Sequence, residues 1–231
     1  MARLPRIVLP GIAHHVTQRG NRRQRVFFGD ADYVCYLDLM AKAAARSGTE
    51  IWAYCLMPNH VHMIVVPQDE DGLRALFAEA HRRYTGYVNA QHRWTGHLWQ
   101  GRFGSVAMDD AHVFRALRYV ALNPVAAKLV TKPADWRWSS AAAHLEGRDD
   151  ALVKVAPVLA RTGDFAAFLG VADARGATRA FASIAKAAVT GRPIGAAGWL
   201  DDMEAKVGRT LRPGKRGPKA REVEISKLSP N

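Results

Sequence analysis

The sequence predicts an α+β fold: a ferredoxin-like antiparallel sheet with helices packed on one face, followed by a small C-terminal helical extension and a basic tail. Three observations predict it. Before residue 150 the apolar pattern switches between periods of about 2 and about 3.6 residues, in the order strand, helix, strand, strand, helix, strand, helix. Two runs rich in β-branched and aromatic residues are separated only by the turn signal Pro58-Asn59, as adjacent antiparallel strands would be. All nine histidines and all six tyrosines lie before residue 150, whereas the remainder is alanine-rich and poor in aromatics.

The first strand is "IAHHVTQRG" (12–20), running into a polar loop. "DADYVCYLDLMAKAAARSG" (30–48) is a helix, with Asp30 as its N-cap and Gly48 as its stop. "EIWAYCLMP" and "HVHMIVVP" form the central strand pair, and a second helix covers 71–90. "HLWQGRFGSVAM" (97–108) reads as a further strand. "DDAHVFRALRYVALN" (109–123) reads as a helix with acidic caps that ends at Pro124. Residues 1–149 are expected to form the chemical domain and 150–207 a helical extension. Within that extension, "TRAFASIAKAAV" and "AAGWLDDMEAKV" flank "TGRPIG" with the spacing of a helix-turn-helix. Residues 208–231 open with "GRTLRPGKRGPKAR", which holds six basic residues and no acidic one and reads as a disordered arm.

Composition narrows the function classes. The 231 residues carry 33 Lys and Arg against 21 Asp and Glu, a net charge of +12, which points to a partner made of phosphates. No apolar run reaches the roughly 18 residues of a spanning helix. The opening "MARLPRIVLPG" is broken by Pro5 and Pro10 and has no cleavage signal, so a cytoplasmic, nucleoid-associated protein without membrane contact is expected. Cys35 and Cys55 are too few for a disulfide framework or a cysteine zinc site and are expected to be buried free thiols.

The chemistry centres on "CLMPNHVHMIV" (55–65). In a strand, His60 and His62 project from one face with Cα atoms roughly 6.6 Å apart. Two buried imidazoles without partners are costly, and either a shared cation or a polar cleft satisfies them. The spacing alone is a weak signal. "LRYVALNPV" (117–125) places Tyr119 and Asn123 four residues apart on one helical face, where Asn123 offers a neutral oxygen. A set of two histidines and an amide suits Mg²⁺ or Mn²⁺ better than closed structural zinc. Tyr87 and Gln91 have the same spacing on the preceding helix, so spacing does not choose between the two tyrosines.

"MPNHVHMIV", "GHLWQGRF" and "LRYVALNPV", in this order, resemble the HUH single-tyrosine transposases of bacterial insertion sequences, above all the REP-associated tyrosine transposases, over residues 8–145. The resemblance implies an HUH nuclease core. It also implies that His60, His62 and Asn123 hold a divalent metal, Mg²⁺ or Mn²⁺, and that Tyr119, not Tyr87, is the nucleophile. Its further implications are cleavage and rejoining of single-stranded DNA beside REP-like hairpins through a 5′-phosphotyrosine, by a monomer or a homodimer. Ala121 departs from the family pattern, where a histidine is frequent, but it is neither nucleophile nor ligand.

Contacts to the DNA strand are expected from Arg19, Asn21, Arg22 and Arg23 in "QRGNRRQR", from Arg82 and Arg83, and from Trp99 and Arg102 in "WQGRF", with Trp99 stacking on a base. Besides an inactive descendant that only binds DNA, two rival readings remain at this point. One is a non-catalytic ferredoxin-like module that binds single-stranded DNA or RNA, partly matched by "GRFGSVAM". The other is a zinc hydrolase that recruits His112 or Asp110 as a third ligand.

Overall fold

A computed structural model describes residues 6–171 and 173–212. Four strands, β1 (His14–Arg19), β2 (Glu50–Met57), β3 (His60–Val66) and β4 (Gly104–Ala107), form one sheet in the order β2-β3-β1-β4, every neighbouring pair antiparallel. Helices α1 (Asp30–Ser47) and α2 (Gly72–His92) cover one face, as the ferredoxin-like order predicts. Contrary to the expectation of helices on one face only, the other face, which carries the histidines, is covered by α3 (Asp110–Ala126) and α7 (Ala174–Thr190). Between these lie three short helices, α4 (Ala141–Glu146), α5 (Ala156–Thr162) and α6 (Phe165–Gly170), and α8 (Ala197–Val207) follows α7.

Strand alternation sorts the side chains. Val61, Met63 and Val65 of β3 enter the core under α1 and α2, while Ile64 and Val66 enter the core under α3 and α7. Full burial of each such side chain contributes about 1.5–3 kcal/mol, so a one-residue slip that exchanged the faces would be heavily penalised. In β2 the register shifts between Ile51 and Ala53. This bulge lets both Trp52 and Ala53 reach the histidine face while Ile51 and Tyr54 stay on the other.

Several boundaries differ from those expected. α1 has Gly29, not Asp30, at its cap position, and the Asp32 carboxylate accepts from the Phe28 and Gly29 N–H groups at 2.6 and 3.1 Å. Gly48 closes the helix in the left-handed conformation, φ 61°, as predicted. α3 is capped by Asp109, whose Oδ1 accepts from the His112 N–H at 2.9 Å. It then runs through Pro124 to Ala126, because a proline in the last turn removes only one ladder bond. The strand expected over 97–108 is regular only at 104–107, since Leu98 and Trp99 leave the sheet line to fill the α1–α2 core.

Among the described residues, those after 150 have no core of their own. Leu152, Val153 and Val155 join the first core, and Val158, Phe165, Phe168, Phe181 and Ile184 join the second. α8, the second helix of the helix-turn-helix reading, carries Asp201, Asp202 and Glu204, and Arg212 pairs with Asp201 and Glu204 at 2.6 and 2.9 Å. From residue 213 onward the basic arm lies outside the described residues. Among the described residues no helix is long and apolar enough to cross a membrane. Cys55 is buried and free, and Cys35 is free but only half-buried.

Three fully buried histidines make the fold acid-sensitive. Burial pulls His14 down to about 4, against a hydrogen bond to the Ile12 carbonyl, and pulls His15 and His81 down to about 3. In the unfolded chain each has a pKa of about 6.5. Their neutral forms therefore contribute fully above that pH, and the contribution is lost as pH falls toward the folded values, by about 1.4 kcal/mol per pH unit and per histidine. Urea midpoints at pH 7 and pH 5 are expected to differ accordingly, the acidic one being lower.

Candidate active site

The site is built on the second face of the sheet. β1 and β3 register His15 with Ile64, Thr17 with His62 and Arg19 with His60, and directly opposed residues of an antiparallel pair share a face. Thus His15, Thr17, Arg19, His60 and His62 point the same way, and α3 lays Tyr119 over them. The ring centroids of His60 and His62 are 4.9 Å apart, and those of His62 and Tyr119 are 5.1 Å apart. The Tyr119 hydroxyl lies 3.5 Å from His62 Nε2, at the outer limit of a hydrogen bond. One turn on, the buried Asn123 carboxamide stands on the same helical face and lowers the phenol against the effect of burial. Sequence spacing left Tyr119 and Tyr87 tied, and the fold separates them: Tyr87 lies on α2, across the sheet from the histidines.

Hydrogen bonds fix the tautomer of His60 and pair His62 with His15. His60 Nδ1 lies 2.6 Å from Asn59 Oδ1, and Asn59 Nδ2 donates to the Arg23 carbonyl at 3.2 Å, which sets the amide's orientation. His60 therefore donates from Nδ1. His62 Nδ1 lies 2.9 Å from His15 Nε2. The direction of this bond follows the cation: a His62 that turns its Nε2 lone pair to a metal carries its proton on Nδ1 and donates it to His15 Nε2. His60 thus presents an unprotonated Nε2, the form a metal-ligating imidazole needs, and His62 reaches the same form by donating to His15. The residues fit a divalent cation on this ground.

Electrostatics point the same way. Burial, and then Arg19, pulls His60 down to about 4. Burial, His15, His60 and Arg19 hold His62 well below its ordinary value. Both are neutral near pH 7. Burial raises the Tyr119 phenol, opposed by the Asn123 hydrogen bond and Arg19, so the nucleophile candidate rests protonated.

The α7 helix closes the site from above. Phe181 stacks on Tyr119 with centroids 3.7 Å apart and planes 1° apart, and its ring meets His15 edge-on at 4.8 Å. Phe181→Ala is expected to cost about 3–5 kcal/mol through the cavity left between α3, α7 and the sheet, measurable by chemical denaturation.

The expected strand-contacting residues are dispersed. Arg19 borders the histidines, and Asn21, Arg22 and Arg23 form an accessible turn just beyond it. Arg102 is exposed near Arg6, whose guanidinium lies 3.6 Å from the Phe103 ring centre. Arg82 and Arg83 stand on α2, on the opposite face, and Arg83 pairs with Glu79 at 3.1 Å. Trp99 corrects an expectation: it is 7% exposed and stacks on His81 at 4.6 Å inside the first core, so its ring cannot receive a base. His112 is held by Asp109 at 2.6 Å in the first turn of α3, and among the described residues no three His, Cys, Asp or Glu side chains are grouped to hold a metal. The hydrolase reading therefore lacks its third ligand.

His15, Asn59 and Phe181 were missed as site residues. Period-2 alternation from Arg19 back through Thr17 reaches His15, so that signal was present. Asn59 read only as a turn residue, and nothing local to α7 marks Phe181.

Comparison with known proteins adds the family. Residues 9–123 match the IS200-like transposases. A solved structure of a REP-associated tyrosine transposase bound to a REP hairpin shares the fold at TM-score 0.55 and 22% identity, covering 67% of this chain and 93% of that one. A Deinococcus radiodurans R1 protein described as a candidate transposase aligns at TM-score 0.37 and 21% identity over 52% of this chain and 95% of its own, too low to carry weight. None of the curated proteins matches.

Proposed function

Residues 9–123 make this chain a member of the IS200-like transposase family, and on that footing we propose that it cuts and rejoins single-stranded DNA beside hairpin elements, with Tyr119 as the nucleophile. The observation that carries this reading is the Tyr119 hydroxyl at 3.5 Å from His62, whose ring centroid lies 4.9 Å from that of His60 on the same face. The hairpin is taken from the DNA bound in the REP-associated structure of like fold.

The Tyr119 oxygen attacks the backbone phosphorus in line. The P–O3′ bond breaks, the phenol proton passes to solvent, and the leaving 3′ oxygen takes up a proton to become a free hydroxyl. One phosphoester replaces another, so the 3′-hydroxyl or a different strand end can reverse the step without ATP. His60, His62 and Asn123 would hold a divalent cation, Mg²⁺ or Mn²⁺, which would supply charge neutralisation at the phosphate. That matters because the phenol is protonated and buried, so activation falls on the electrophile. Arg19, beside the histidines, adds a fixed positive charge for the phosphate. The packing around Tyr119 holds the phenol in place and makes attack effectively intramolecular once the strand is bound.

A second reading has its own observation. The Phe181 ring covers the face of Tyr119, as expected of a descendant that binds DNA without cutting it. Incubation with end-labelled hairpin-bearing single-stranded DNA and Mn²⁺ separates the two. A denaturation-resistant protein–DNA adduct supports cleavage; binding without an adduct supports the second reading.

A further inference from the structure

A second feature lies at the β1 exit, on the far side of the turn that follows Arg19. A cleft of about 260 Å³ opens between the 20–24 turn and the segment after α2, lined among others by Asn21, Arg22, Gln24, Asn89, Trp94 and His97. None of these is acidic. Trp94 is 45% exposed and stacks on His92 at 4.5 Å, and Phe28, 37% exposed, meets both rings at 4.4 and 5.5 Å. An aromatic trio left open to solvent beside amide, guanidinium and imidazole groups is the combination that accepts a flat heterocycle. The ring faces stack on it, and the polar groups meet its donor and acceptor edge.

The cleft is built, not incidental. Arg22 and Arg23 both have positive φ, 52° and 63°, a costly conformation for consecutive non-glycine residues. It is held by the Asn21 N–H donating to the Leu98 carbonyl at 2.8 Å and by Asn59 Nδ2 donating to the Arg23 carbonyl at 3.2 Å. Gly20 is required as well, since a Cβ there would collide with the Gln24 carbonyl. Through Asn59, which bonds both the Arg23 carbonyl and His60, the same turn is tied to the histidine strand.

We propose that the cleft is a subsite for one unpaired nucleobase of single-stranded DNA, stacked on Trp94 and met at its edge by Asn21, Arg22 and Gln24. This rests on the reading of the chain as a single-strand transposase, but it concerns recognition and not cleavage. The test uses the full chain, fluorescently labelled homopolymeric oligodeoxynucleotides for each base, and an abasic oligodeoxynucleotide of equal length, with affinity read by anisotropy. Base-bearing strands are expected to bind roughly ten-fold or more tightly than the abasic strand. Trp94→Ala should erase that difference at unchanged melting temperature, because the ring is exposed, and Trp94→Phe should restore most of it. An abasic strand that binds as well as the others, or a preference that survives Trp94→Ala, overturns the proposal. So does a base preference seen only with oligoribonucleotides. The two readings fail separately. A wild-type chain that forms no adduct but loses base preference in Trp94→Ala sinks the cleavage reading and keeps the subsite. An adduct together with a preference indifferent to Trp94 does the reverse.

Discussion

Tyr119→Phe is expected to abolish the covalent protein–DNA adduct outright while Tyr87→Phe leaves it intact. The two tyrosines have the same i, i+4 relation to an amide, Asn123 in one case and Gln91 in the other, so local chemistry does not distinguish them. The fold does. Tyr119 stands over His62, and Tyr87 lies across the sheet beside Tyr84. A phenylalanine cannot form a phosphoester, so the loss is not a slowing that longer incubation repairs; strand cleavage should fall by roughly 10³-fold or more. The stability change is small, about 1 kcal/mol or less, because the hydroxyl's bond to His62 Nε2 is long and the ring stack on Phe181 is kept. Denaturing gels measure the adduct and a thermal melt measures the fold. Cleavage that persists in Tyr119→Phe with fragments but no adduct would point to water as the nucleophile and end the proposal.

What was legible in the sequence is what depends on short-range periodicity. The order of strands and helices, the turn at Pro58-Asn59, the stop at Gly48 and the shared face of His60 and His62 all follow from repeats of two or four residues. What was not legible depends on contacts between distant segments. Trp99 looked like a stacking residue because an arginine and an aromatic flank it, yet burial against His81 removes it, and nothing within "WQGRF" reports that. Trp94, five residues earlier, is the one left open. α7 reads as an ordinary amphipathic helix. That its Phe181 would lie flat on Tyr119, 62 residues away in sequence, is a property of how α3 and α7 share the sheet. Arg82 and Arg83 stand across the sheet from the histidines for a related reason: a helix-borne charge can be read from sequence, but the face of the sheet its helix covers cannot.

Metal affinity should grade the residues around the histidine pair by distance from the cation. His62→Ala and His60→Ala each remove a nitrogen donor, and Mn²⁺ binding, followed by the electron paramagnetic resonance signal of the free ion, is expected to become unmeasurably weak. The outer partners come next. His15 Nε2 lies 2.9 Å from His62 Nδ1, placed to accept its proton when Nε2 faces a cation, and Asn59 Oδ1 accepts the His60 Nδ1–H at 2.6 Å. Removing either frees its imidazole to take the opposite tautomer, with the proton on the nitrogen that should face the metal. His15→Phe and Asn59→Ala are therefore expected to weaken Mn²⁺ binding about 10- to 100-fold while the fold persists. Phenylalanine fills the His15 volume beside Phe181, and Asn59 sits in a partly exposed turn. His15→Gln separates tautomer control from packing, since its amide oxygen can still accept from His62 and should recover most of the affinity. If His15→Phe and His15→Gln bind Mn²⁺ equally well, His15 is only filling space, and the tautomer account of the site is wrong. If His62→Ala binds as tightly as the wild type, the cation is held elsewhere, and the alignment of Tyr119 with a metal-bound phosphate loses its basis.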